Sequence, residues 1–244
     1  MGVRCVISNG ITRTREVSGA TGGTVSTKPI LLAFNEVDSA PAEPGVYAWY
    51  YRQVITAFDL NSLLSSLAES DERQKHELVR AFLERHVFRA FESPSYHAEI
   101  RAPLAPSYAG ELTHRTEITK ELIDRICKSP ERLRVIKEVL EAAVPEFATP
   151  IYIGMSKDLR ARLRAHKRLI DAHKKVEGRV GASMISLPPD AKPEDRSFAS
   201  EVVRRKLGLN GLVVAVRPIK SSDKEHVDVE NVLNRINYPI CGRN

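Results

Sequence analysis

The spacing of hydrophobic positions changes along the chain, and each change marks an element. Residues 1–28, rich in Gly, Ser and Thr, show no sustained period and read as a lead-in arm, with order expected from 29–34. Residues 36–45 carry Pro41, Pro44 and Gly45 and read as turn and linker. Residues 46–54 have the β-branched and aromatic content of a strand. Over 61–91 apolar residues recur at three- and four-residue steps (Leu63, Leu64, Leu67, Leu78, Val79, Phe82, Leu83, Val87), which predicts helix. Residues 93–115, with Pro94, Pro103, Pro106 and Gly110, predict a loop. Helix is expected again over 116–128, and once more to about 143 with Ser129 as N-cap and Pro130 in the first helical position. Residues 53–149 thus read as one all-helical block.

Beyond that block, 151–153 predicts a short strand broken by Gly154, and Ser156 predicts the N-cap of a helix running to about 174. On this helix Leu159, Leu163, His166 and Ile170 form one inward stripe, and Arg162 shares the side of His166 four residues away. Residues 180–187 read as extended and 197–207 as helix, with Phe198, Val202, Val203 and Leu207 inside. Residues 212–219 are a nearly continuous apolar run, as in the middle of a sheet. A last helix over 224–236 is expected to bury Val229, Val232, Leu233 and Ile236, with Glu230 at the edge of that stripe.

Composition narrows the classes. In 244 residues, 42% hydrophobic content suffices for a sizeable core, and no apolar run approaches the ~20 residues of a membrane helix. No basic-then-apolar leader opens the chain, so a cytoplasmic protein with no membrane partner is expected. Cys5, Cys127 and Cys241 are scattered, suggesting neither a disulfide framework nor a zinc site. The formal net charge is +6, and the cations concentrate in one segment: Lys157, Arg160, Arg162, Arg164, Lys167, Arg168, Lys174 and Lys175. Such a run is ordinarily a solvated helix face, but it also suits a polyanion.

The segment follows a motif. Gly45-Val46-Tyr47 and Tyr152-Ile153-Gly154, then Arg162, His166, Glu230 on a late helix and the terminal Asn244, together resemble the GIY-YIG nucleases, with GVYAWYY most similar to the restriction branch. The resemblance covers 44–52 and 150–244. It implies an α+β fold with a small, mostly antiparallel central sheet flanked by helices, into which 53–149 is inserted as a helical subdomain after an N-terminal arm of 1–43. It departs from the usual pattern in the long separation of the two triplets, in Met155 where some relatives have lysine, and in the spacing from Pro239 to Asn244.

The resemblance implies an endonuclease that hydrolyses phosphodiester bonds of double-stranded DNA, of restriction or defence type. In this reading Tyr47 is the general base, Arg162 binds the scissile phosphate, and Glu230 holds one magnesium ion. Tyr152 and His166 share the pocket, and Asn244 completes it. A single carboxylate suits magnesium, which keeps several waters. Arg160, Arg164, Lys167 and Arg168 are then expected to contact phosphates, and Arg101 and Arg115 in the proline-rich loop to reach bases. Cutting both strands with one site calls for a homodimer or two visits. Trp49, Tyr50 and Tyr51 are expected to pack rather than react. Taken singly, Tyr47 and Tyr152 read as cross-strand core aromatics and Arg162 as an ion-pair partner of Glu230. A DNA-binding module that does not cut, and a basic helical protein-interaction module, remain open alternatives.

Overall fold

The computed structural model describes residues 28–92, 96–100, 106–112, 117–177, 193–219 and 224–242. The lead-in 1–27, the extended piece expected over 180–187, and the residues Arg101, Arg115 and Asn244 lie outside them.

Strand β1 (Ile30–Ala33) leads through a 3-10 helix (Phe34–Ser39) to β2 (Gly45–Tyr51), which carries the first triplet. Helices α1 (Ala57–Glu69) and α2 (Glu72–Leu83) follow. Thr56 caps α1 by accepting from the Asp59 amide at 3.0 Å, and Asp71 caps α2 by accepting from Gln74 N at 2.8 Å. Beyond Leu83 the helix expected through residue 91 continues only as a π turn (Glu84–Phe88) and a 3-10 turn (Arg89–Phe91).

What reads as a loop is an antiparallel hairpin, β3 (Tyr96–Ile100) and β4 (Tyr108–Leu112), so the block is not all-helical. Its alternating Tyr96, Ala98 and Ile100 carried the signal, which the surrounding prolines outweighed in the sequence. Helix α3 (Lys120–Lys128) is capped by Thr119. Helix α4 (Arg132–Ala142) begins later than Ser129 suggested, because residues 129–134 first make tighter i→i+3 bonds: Arg132, Leu133 and Arg134 donate to Ser129, Pro130 and Glu131.

The chain then returns as β5 (Tyr152–Ser156), helix α5 (Leu159–Glu177), α6 (Pro193–Arg204), β6 (Leu212–Pro218) and α7 (Glu225–Asn237). The main sheet is antiparallel throughout, in the order β1-β6-β2-β5, so the apolar β6 is an interior strand. Strands β2 and β5 are neighbours although residues 52–151 separate them in sequence: Trp49 pairs with Tyr152, and the Ile151 amide donates to the Trp49 carbonyl at 2.8 Å. The excursion therefore leaves and re-enters at one place, and closing so long a loop costs little more entropy than closing a short one.

Buried residues fall into two clusters. One gathers residues of β1, β2, β5, β6, α5 and α6 around Trp49, Tyr47 and Phe198; the other lies wholly within 55–133, around Leu67, Val79, Ile123, Ile126 and Leu133. Arg205 joins the end of α6 to its surroundings. Its guanidinium is buried, donates to the carbonyls of Glu92 (2.7 Å) and Ile240 (3.4 Å), and pairs with Glu201 at 3.1 Å.

Candidate active site

The two glycine-tyrosine triplets lie side by side because β2 and β5 pair in a register that sets Tyr47 opposite Gly154. Gly154 does not break the strand, as the sequence predicts, but sits inside it. A Cβ there would stand 2.5 Å from the Tyr47 hydroxyl and 3.0 Å from the Tyr152 ring, so only glycine lets the phenol lie across the neighbouring strand. At Gly45 a Cβ would collide with the Arg217 carbonyl of β6.

Helix α5 approaches this pair of strands with its stripe inward: Leu159, Leu163, His166 and Ile170 are all fully buried. Its N-cap is Asp158, whose carboxylate accepts from Ala161 N at 2.9 Å. Ser156, the expected cap, instead accepts from Asp158 N at 3.0 Å. The helix thus brings His166 Nε2 to 2.8 Å from the Tyr47 hydroxyl, and Arg162 Nε donates to the same oxygen at 3.2 Å.

Tyr152 lies edge-on to His166 with ring centroids 5.5 Å apart, and Phe198 of α6 seals the other side, 4.7 Å from Tyr152 and 5.1 Å from His166. Trp49 fills the space behind, packed on Phe34 and Phe198. Burial in this aromatic box, and secondarily the Arg162 guanidinium, hold the His166 imidazole well below its ordinary value, so the ring is neutral at pH 7.

Helix α7 packs on β5 and β2. Most of the stripe expected to be buried is not: Val229, Val232 and Ile236 are 37%, 59% and 67% exposed, and only Leu233 is half-buried. The helix is turned so that His226 is buried and Val227, Glu230, Leu233, Asn234 and Asn237 are half-buried, a mixed face recurring at helical spacing. Glu230 is held there by Asn234, whose Nδ2 donates to Oε1 at 2.6 Å.

Arg162 lines a cavity of about 350 Å³ together with Met155, Ser156, Lys157, Lys224, His226 and Val227. Tyr47, only 1% exposed, is not on its wall and lies behind the guanidinium that it bonds. The described residues contain no cluster of three or more His, Cys, Asp or Glu side chains able to enclose a metal. Glu230 is a carboxylate oriented by Asn234, a donor suited to magnesium, which keeps several waters, rather than to an ion requiring a closed protein shell.

The remaining cations expected at phosphates sit elsewhere on α5. Arg160, Arg164 and Lys167 lie roughly 140–200° around the helix from Arg162. They hold the segment before β2: Arg160 Nε donates to the Ala40 carbonyl at 2.7 Å, and Arg164 and Lys167 pair with Asp38 at 2.6 and 3.3 Å. Arg168 is exposed. The structure therefore brings Tyr47, Tyr152, Arg162 and His166 together, and sets Glu230 on the helix that closes over their strands. His226 escaped the sequence reading, although it stands four residues before Glu230, on the same helix face.

Comparison of the chain with protein-family models, with curated proteins and with solved structures finds no match. No helix among the described residues is long and apolar enough to cross a membrane.

Proposed function

We propose that the chain is a magnesium-dependent endonuclease of GIY-YIG type that hydrolyses phosphodiester bonds in double-stranded DNA. The observation that carries this reading is the Tyr47 hydroxyl, held between a neutral imidazole and a guanidinium at the junction of two paired glycine-tyrosine strands.

Hydrolysis of a phosphodiester requires a base for the attacking water and positive charge for the phosphorane-like transition state. In this reading the hydrogen bond to His166 Nε2 fixes the phenol's orientation, and the Tyr47 proton passes to that nitrogen as the phenol oxygen takes a proton from the attacking water. Arg162 moves from the phenol to the scissile phosphate, uncovering the oxygen and neutralising the phosphate. The bound phosphate in turn offsets the guanidinium charge that lowers the proton affinity of His166. Tyr152 and Phe198 exclude bulk water from the imidazole. Glu230, positioned by Asn234, is the residue that would hold magnesium, and the chemistry such an ion supplies is stabilisation of negative charge on the phosphate and leaving oxygen.

A supercoiled plasmid incubated with magnesium and the full chain tests this. Conversion to nicked or linear DNA by wild type but not by Glu230→Ala is the expected result. No conversion by wild type, or equal conversion by the variant, overturns it. The near-complete burial of Tyr47 favours one second reading, a module of the same architecture that binds DNA without cutting it. DNA binding without conversion in the same assay would select that reading.

A further inference from the structure

The cavity in front of Arg162 has features that the proposed chemistry does not use. His226 reaches it from the first turn of α7. It is only 4% exposed, and among the described residues its Nδ1 is buried with no hydrogen-bond partner. A buried polar nitrogen left unpaired is costly, and this one belongs to a ring that lines the cavity.

The surroundings define what partner it would take. Lys157, Arg162 and Lys224 contribute three cations to the wall, and no carboxylate is among the described residues that line it. Glu225 and Asp228 belong to the first turn of α7 but are exposed and do not line the cavity.

The helix itself adds to this. Residue Lys224, at its N-cap, is in the left-handed region (φ 65°) and makes no side-chain cap, and of the first-turn amides that of Val227 donates to the Lys224 carbonyl at 2.8 Å. A helix N-terminus presenting amides favours an anion. A volume of about 350 Å³ falls at the small end of the roughly 300–1,000 Å³ that ligand pockets span. That is room for a phosphate group together with its sugar.

We propose that this cavity is a phosphate-binding site for a nucleic-acid strand, with His226 Nδ1 as a direct ligand of the phosphate and Lys157, Lys224 and the α7 N-terminus as its electrostatic wall. The proposal rests on the nuclease reading for the identity of the polymer, and on the cavity alone for the phosphate. It assigns His226 a binding role distinct from that of His166, which touches Tyr47 and does not line the cavity.

The test uses the full chain without metal, and follows histidine-ring nitrogen resonances by NMR while inorganic phosphate and, separately, a short DNA duplex are added. The His226 ring is expected to shift with both. The affinity for the duplex should fall about tenfold or more in His226→Leu, and stay within about threefold in His226→Asn, whose amide can stand where Nδ1 stands. A ring that shifts with neither probe, or unchanged duplex affinity in His226→Leu, overturns the proposal. A shift with inorganic phosphate alone overturns the polymer and leaves a small-phosphate site. The wild-type titration decides the matter even if His226→Leu fails to fold. The two readings fail separately: a protein that nicks plasmid with a silent His226 loses only this site, and one that never nicks but shows both shifts loses only the nuclease.

Discussion

Gly154 lies directly across the β2–β5 ladder from Tyr47, and a methyl group at 154 would stand 2.5 Å from the Tyr47 hydroxyl. The glycine of one motif is thus the seat of the tyrosine of the other. Gly154→Ala should destabilise the fold by about 1–3 kcal/mol, the usual cost of overpacking, and should suppress nicking further by moving the phenol off His166 and Arg162. Denaturant midpoints and plasmid nicking measure the two effects. A variant with wild-type stability and activity would show that the phenol does not need this seat.

The burial of His166 sets a pH dependence of stability. Its folded-state value lies well below the ordinary 6.5, so between the two values the unfolded chain binds the extra proton. The stability associated with the neutral ring is complete above about pH 6.5 and is lost as the pH falls toward the folded value, with a slope of up to about 1.4 kcal/mol per unit. His86 and His173 are also lowered by burial, so the contrast with His166→Phe isolates this ring. Between pH 7.5 and 5 the midpoint of wild type should fall more steeply than that of the variant. Parallel curves would contradict the assignment.

Asn234 orients Glu230 as an outer partner orients a metal ligand. Asn234→Leu should raise the magnesium concentration needed for half-maximal nicking by about 10–100-fold while leaving the thermal midpoint without metal nearly unchanged. An unaltered magnesium requirement would remove Asn234, and weaken Glu230, as parts of a metal site.

Arg164 and Lys167 are already paired with Asp38. A cation that contacts phosphate contributes about 0.9 to the slope of log affinity against log salt. The double variant Arg164→Ala, Lys167→Ala should therefore change that slope by less than one such contact and leave stability nearly unchanged, since these pairs are solvent-screened at the surface. A slope reduced by two contacts would return both residues to the DNA interface.

The contrast between α5 and α7 explains how much was legible in the sequence. On α5 the apolar stripe Leu159, Leu163 and Ile170 points inward and carries His166 with it, so period alone located the residues around Tyr47. On α7 the same rule failed, because Val229, Val232 and Ile236 face out while His226 and Glu230 face in. A helix that packs polar residues inward inverts the pattern from which burial is inferred. The pairing of β2 with β5 was legible only through the motif, since no local signal connects Trp49 with Tyr152 across the intervening block. The hairpin β3–β4 was hidden by prolines near it. The Asp38 pairings of the basic face could not be read at all, because they depend on where the 3-10 helix Phe34–Ser39 docks.

The most direct measurement compares nicking rates of wild type and Tyr47→Phe with magnesium, since phenylalanine keeps the ring that packs beside Tyr152 and removes only the oxygen shared by His166 and Arg162. Loss of a general base predicts a fall of roughly 10²–10⁴-fold in a folded protein. Cleavage by Tyr47→Phe at the wild-type rate would contradict the account at its centre.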